Sequence, residues 1–475
     1  MTELILGPVT GGLSHKRANL WGRAGGPGTL YAWLGRSPDL QDAWLVGQSM
    51  PLSAQDGFAG VAPISGLSPD TQYYYDLTLE NTPPDPAGAP YPKFITFPLP
   101  GQPRPFTFAF GSCFRPADEN GGKIFYQLEK RRKLDQIRFC LLIGDQIYAD
   151  DYNYNGLGTV ACNLTEYRSV YEYTFSRPPF RQLLKNLPVF MTLDDHEVDD
   201  DWTWTDMERT TAQIPVWDRI ERCLRRRSPW EWQIPAQRVK DALQAYWEHQ
   251  AMHAPALELP PRIDYKGQYA LASDDHGSFA YTFTFGAAAF FVMDTRSMRI
   301  KNRQCKSMLG EGQWRAMEAW LLAVKDDYPV KFIISSCCLL FQMWADIPRD
   351  RWSGFPDERK RLLYFLAAHG IQGVYLLTGD LHSAHAVSVE LYGPHGRGLE
   401  LWEFCASPFE QAPNWFSKLT YQPLPVGLVK DQKLHFNLNQ HNFGVVRVDF
   451  NDEGMANVCF EVYGSQGELL GKAGG

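Results

Sequence analysis

Four times in this chain a short apolar run breaks directly into residues that ionise or bind metals, and that recurrence limits the folds open to it. The runs are Phe106-Thr107-Phe108-Ala109-Phe110, leading to Gly111-Ser112-Cys113; Cys140-Leu141-Leu142-Ile143, leading to Gly144-Asp145-Gln146-Ile147-Tyr148; Val189-Phe190-Met191-Thr192-Leu193, leading to Asp194-Asp195-His196-Glu197; and Val374-Tyr375-Leu376-Leu377-Thr378, leading to Gly379-Asp380-Leu381-His382. Apolar runs of this length, separated by longer helical stretches, predict buried strands in a layered α/β or α+β core. In such sheets ligands bind beyond the carboxyl ends of the strands, where all four clusters fall.

The helical stretches are Gly122 to Arg132, Leu164 to Phe175, Ala236 to Met252, Glu311 to Lys325 and Asp357 to His369, the second opened by a capping box of Asn163 and Glu166. Further strands are expected at 106–112, 138–143, 188–194, 279–294, 331–337, 373–378, 385–391, 399–405, 443–450 and 457–463. Residues 1–100 differ. Short extended runs such as Ala18 to Gly22, Leu30 to Leu34 and Tyr73 to Leu79 alternate with turn residues, which predicts a β-sandwich module ahead of a second domain spanning 105–475. The turn and aromatic strand over Ile64 to Tyr75 resemble the corner of fibronectin type III-like modules.

Each cluster carries two readings. Cys113 is either a buried inert thiol or a ligand, and Asp145 is satisfied either by loop amides or by a cation, since a bare carboxylate at a strand end is costly. Asp194, Asp195, Glu197, Asp199, Asp200 and Asp201 place six carboxylates around His196, either as a solvated acidic loop or as an oxygen-rich site for a divalent or trivalent ion. Asp380 and His382 alternate along an extended segment and so point the same way, able to share one ion or a close pair. At the end of another strand, Arg296 either clamps a phosphate or pairs internally with Asp294. Trp352-Ser353-Gly354-Phe355 forms a pocket wall or a packed loop.

Taken in order, these segments, with Asp294-Thr295-Arg296 and Trp352-Ser353-Gly354-Phe355, resemble the PhoD-type alkaline phosphatase and phosphodiesterase family, a branch of the calcineurin-like metallophosphoesterases. The resemblance covers nearly the whole chain, including the β-rich first hundred residues, and makes 105–475 the metallophosphoesterase catalytic domain. It implies that Cys113, Asp145, Tyr148 and His382 hold an iron(III), and that Asp145 bridges to calcium or another divalent metal at a second site with Asp195 and Asp380. It further implies that His196 is the general acid and that Arg296 binds the phosphoester substrate, while a metal-activated water attacks phosphorus. The chain departs from the family pattern at Asp199-Asp200-Asp201, where Asn residues are expected, and at His385, which either reaches the site or packs in the following strand. The third departure is the missing export signal.

Other functions are constrained more loosely. A formal charge of −8 disfavours a general nucleic-acid binder, and the run Arg219, Arg222, Arg225, Arg226 and Arg227 reads first as a solvated helix face. No segment reaches the roughly 18–20 unbroken apolar residues of a membrane span. Nine scattered cysteines without CxxC pairs suggest reduced thiols, and the absence of an export signal at the amino terminus makes a cytoplasmic location the expectation unless a leader was removed. Two rivals to the phosphatase reading remain: a phosphodiesterase or phospholipase D-like activity on diesters, with Trp202, Trp204, Trp344 and Trp352 lining an apolar groove, and a non-catalytic metal-containing binding protein. A serine or cysteine hydrolase built on Ser383 or Cys113 is disfavoured, because no Gly-x-Ser-x-Gly elbow accompanies either.

Overall fold

The computed structural model describes residues 3–116, 121–202, 234–260, 277–301, 306–344, 350–393 and 398–474. The arginine run at 219–227 and Trp204 lie outside these described residues.

Two β-sheets stacked face to face form the centre of the molecule. In the first, Val189–Thr192, Cys140–Ile143 and Phe106–Gly111 run parallel, and the sheet continues antiparallel through Asn442–Phe450, Ala456–Gly464 and Leu469–Gly474. Among the described residues the second has eight strands around a parallel centre of Ala288–Val292, Val330–Ile334, Val374–Thr378 and Gly398–Cys405. Phenylalanines fill the space between the sheets: Phe108 meets Phe290 at 5.7 Å and Phe332 at 5.2 Å, and Phe404 meets Phe460 at 4.8 Å between ring centroids. Helices cover the outer faces, with Ile124–Asp135, Leu164–Phe175, Pro178–Asn186 and Ala236–His249 on the first sheet and Gly310–Val324 and Pro356–His369 on the second. Phe106–Gly111, Cys140–Ile143, Val189–Thr192, Ala288–Val292 and Val330–Ile334 are buried on both faces, which is why they read as continuous apolar runs rather than as alternation.

Residues 4–95 build a three-stranded and a four-stranded antiparallel sheet. Here alternation does appear. In Gln72–Thr78 every second residue is buried, so Tyr73, Tyr75 and Leu77 pack inward. This region shares its core with the central sheets, since Leu77 and Phe94 fall in one buried cluster with Phe139 and Phe283; just beyond residue 95, Phe97 contacts Phe285 at 4.8 Å and Phe139 at 5.5 Å, and the Trp21 indole nitrogen donates to the Glu248 carbonyl of the helix Ala236–His249.

Three local expectations are corrected. The single strand expected at 279–294 is a hairpin, Ser278–Phe285 and Ala288–Val292, turning at Gly286, where φ is +52° and a Cβ would lie 2.4 Å from the Gln102 carbonyl oxygen. Pro178–Asn186, with prolines at its first positions, is a helix not anticipated from the sequence, and Val429–Leu438 and Leu469–Gly474 are additional strands. At the Asn163 cap the side chain accepts from the Glu166 amide, but Glu166 reaches back to the Cys162 amide instead of closing the box on Asn163.

His249 and His253 lie buried against Trp21. Burial lowers His253 to about 4 and His249 to about 3, so between those values and the ordinary 6.5 these two sites bind fewer protons in the folded protein than in the unfolded chain. Their contribution to stability is therefore expected to be constant above about pH 6.5 and to fall with decreasing pH, by about 3 kcal/mol for His253 alone. Urea unfolding of the parent and of His253→Gln across pH 4–7 measures this as the difference between the two proteins; a difference that does not change with pH would contradict it.

Candidate metal centre

The parallel strands of both sheets end at one edge, and the turns that follow them face each other. Cys113 follows Phe106–Gly111, Asp145 follows Cys140–Ile143, Asp194 to His196 follow Val189–Thr192, and Asp380 and His382 follow Val374–Thr378. Four of these residues sit at positive φ: Cys113 at 61°, Asp145 at 57°, Asp380 at 62° and His382 at 54°. Non-glycine residues rarely adopt that conformation, and such strain gathers where side chains must be aimed at one point. Gly144, at +83°, lets the second turn approach the third, since a Cβ there would lie 2.5 Å from that of Asp194.

The Asp145 carboxylate is the meeting point. Its Oδ2 is 3.3 Å from the Cys113 sulfur and 3.4 Å from the Tyr148 hydroxyl, which in turn lies 3.5 Å from His382 Nε2. Ligand atoms of Cys113, Asp145 and His382 form one compact group, and those of Asp145, Asp194, Asp195 and Asp380 form another, with Asp145 common to both. A third group joins Asp195, Asp201 and Asp350.

The electrostatics of these residues match a cation-binding site. Burial, reinforced by Asp380, pushes the Cys113 thiol up to about 12. Burial, with Cys113 adding to it, holds the Asp145 carboxyl and the Tyr148 phenol well above their ordinary values. Burial, with His196 adding to it, takes His382 down to about 3, leaving a neutral imidazole able to donate a lone pair. The thiol, phenol and carboxyl thus ionise together only beside a strong positive charge, so the donor set fits a metal pair, with the sulfur, phenolate, carboxylate and imidazole on one side and carboxylates on the other.

His196 stands at the mouth of this edge. Its Nδ1 pairs with Asp150 at 2.8 Å, and its ring lies over Tyr148 with centroids 4.1 Å apart. Burial opposes its positive charge, but Asp150 and then Asp145 and Asp195 outweigh it and raise the imidazole well above its ordinary value. Asp195 is the reverse case: burial would raise it, and Arg296 and His196 bring it below the usual carboxylate range.

Arg296 is not where a phosphate clamp would stand. Its side chain has no exposed surface, and its guanidinium pairs with Asp194 at 2.5 Å, Asp350 at 2.6 Å and Asp195 at 3.5 Å. Asp294 is occupied by backbone amides, including that of Arg296. Among the described residues, the arginine that lines the cleft is Arg351, 3.2 Å from the Asp380 carboxylate, in a cavity of about 610 Å³ shared with His196, Asp200, Asp201, Asp380 and His382. Among the three consecutive aspartates, Asp199 turns away to a buried pair with Arg238, whereas Asp200 and Asp201 face the cleft. His385 packs within its strand against Glu403. Trp202 and Trp352 are buried, so of the described tryptophans proposed for an apolar groove only Trp344 is exposed.

The supporting roles of three residues are not legible in the sequence. Asp150 orients His196, Asp350 joins Arg296 to Arg299, and Glu197 accepts from the amides of Asp145, Gln146 and Asp194, tying two strand-end turns together. Glu197→Gln turns an acceptor into a donor facing those amides and is expected to cost about 2–4 kcal/mol in chemical denaturation. A loss below 1 kcal/mol would show that the clip is dispensable.

Comparison with known proteins places this arrangement in context. A family model described as PhoD-like phosphatase matches residues 108–458. The chain is similar to alkaline phosphatase D of Bacillus subtilis (strain 168), at 24% identity over 358 residues, which make up 69% of this chain and 53% of that protein. It thus spans about half the length of the curated relative it matches. Among solved structures it is similar to one described as the structure of PhoD, with a TM-score of 0.68 and 19% identity, covering 99% of this chain and 92% of that one. It is also similar to the purple acid phosphatase PPD1 from yellow lupin (Lupinus luteus) seeds, with a TM-score of 0.57 and 12% identity, covering 98% of this chain and 73% of that one. At these identities the structural likenesses speak for the fold.

Proposed function

The chain belongs to the PhoD-like phosphatase family, and from that membership we propose that it is a metal-dependent hydrolase of phosphate esters. The observation that carries this reading is Asp145, shared between a Cys113, Tyr148 and His382 group on one side and an Asp195 and Asp380 group on the other. In this reading the first group holds iron(III) and the second holds calcium or another divalent ion, assignments supported by the softness and hardness of the donors. Bound there, the metals supply Lewis acidity towards the phosphoryl oxygens and lower the pKa of the attacking water.

The protein's own groups do the rest. His196, held by Asp150 and kept protonated, donates its proton to the leaving alkoxide. Arg351, at the cleft wall, takes the phosphate-binding role first assigned to Arg296, while Arg296 fixes Asp194 and Asp195 from behind. His196→Ala is expected to slow esters with alkyl leaving groups by about 10²–10⁴-fold and activated aryl esters far less, because only a poor leaving group needs the proton. Equal losses on both would remove the acid role.

Hydrolysis of paired aryl phosphate mono- and diesters by purified protein, with and without chelator, tests the proposal. Turnover that the chelator abolishes supports it, and the faster ester identifies the monoester or diester branch. Absence of turnover of either ester by fully metallated protein would overturn it in favour of a non-catalytic metal-binding protein.

A further inference from the structure

A second cluster with metal-binding chemistry lies beneath the cleft and shares no ligand with it. Cys338 follows the strand Val330–Ile334, Cys405 ends Gly398–Cys405, and His385, in Ala384–Tyr392, is the antiparallel ladder partner of Cys405. All three are buried. The two sulfurs are 4.0 Å apart, and one donor atom from each of the three residues lies within 4.8 Å of the others.

The histidine is the informative member. Its Nε2 is 3.0 Å from Glu403 Oε1, and the Glu403 carboxylate also accepts from the amides of Leu339, Leu340 and Phe341 at 2.6, 2.8 and 2.9 Å. An acceptor fixed in this way keeps the imidazole hydrogen on Nε2 and directs the other nitrogen away. The ring also interacts with the Cys338 sulfur, and its other nitrogen, Nδ1, is buried with no hydrogen bond of ordinary geometry. Carboxylate, imidazole and thiolates in this order form the arrangement by which proteins orient a metal-binding histidine. Phe341 stacks on the ring at 4.3 Å and closes the cluster on that side.

We propose that Cys338, Cys405 and His385 Nδ1 bind one divalent ion of the thiolate-preferring class, zinc(II) in the first instance. Two thiolates cancel the ion's charge and the bound imidazole is neutral, so the ion and its three ligands together carry no net charge beside the Glu403 carboxylate. Loading displaces the two thiol protons to solvent, together with the Nδ1 proton wherever the ring is an imidazolium, in exchange for one divalent ion. The carbonyl of Gly379, 3.6 Å from the Cys338 sulfur and 3.8 Å from that of Cys405, is an oxygen within reach of the same point. The ion would join three segments under the turn that carries Asp380 and His382, and its presence does not depend on whether the cleft hydrolyses phosphate esters.

Cobalt(II) is the probe, added to full-length Cys113→Ser protein so that the cleft thiol contributes nothing. One equivalent is expected to give sulfur-to-cobalt charge-transfer absorption in the near ultraviolet, reduced to background in the Cys113→Ser, Cys405→Ser double variant. If the double variant fails to fold, X-ray absorption of zinc-loaded Cys113→Ser protein replaces it, with two sulfurs and one imidazole per zinc expected at this site. Absence of thiolate absorption in reduced, folded Cys113→Ser protein would overturn the proposal. So would absorption that persists without Cys405, or a Cys338–Cys405 disulfide in protein purified without reductant.

Discussion

Replacing Asp145 with asparagine is expected to lower phosphoester turnover by about 10³-fold or more while leaving the melting temperature close to that of the parent. Asparagine tolerates the left-handed backbone at φ 57° and keeps the side-chain shape, so what is removed is the charge and one acceptor oxygen at the junction of the two donor groups. Changes to residues that merely orient metal ligands typically cost 10–100-fold, and a carboxylate common to both groups must exceed that. Initial rates on an aryl phosphate, with metal content measured on the same samples, check the expectation. A loss below tenfold would mean that Asp145 is satisfied by its loop and bridges nothing.

Arg296→Met is the second large effect, and it is expected in stability. The guanidinium sits among Asp194, Asp195 and Asp350, and removing it leaves buried carboxylates facing one another without their cation. Breaking a buried pair in this way costs about 3–5 kcal/mol, even where replacing the whole network with apolar groups would not. Urea unfolding of the two proteins measures the difference. A substrate clamp would behave oppositely, raising KM at nearly unchanged stability, and that outcome would return Arg296 to the role first read for it.

The contrast between Asp145 and Arg296 shows what the chain discloses locally. Cys113, Asp145, Tyr148, Asp195, His196, Asp380 and His382 were legible because each follows an apolar strand within a few residues, and parallel strands deliver such positions to one edge. Their roles remain proposals, but the fold does bring them together. Which way a side chain turns at a strand end depends on partners distant in sequence: Arg296 meets Asp194 across 102 positions, and His196 meets Asp150 across 46. Glu197 stands out in the sequence only as one of the acidic cluster, because its work is to accept amides from a turn 52 residues earlier. Within the fold, the strand and helix periods were readable wherever burial was two-sided or one-faced. The hairpin at Gly286 was not, because both of its strands are apolar and only one glycine separates them from a single longer run. Pro178–Asn186 was missed because a Pro-Pro pair suggests a break, although proline suits the first turn of a helix.

The most direct test of the central claim returns metals to chelator-stripped protein, adding iron and calcium separately and together while aryl phosphate turnover is followed, with Asp145→Asn treated in parallel. A shared site predicts turnover that recovers fully only when both positions are filled, and no recovery in the variant. Recovery of the variant to the parent's rate, or full activity of the stripped protein, would contradict it.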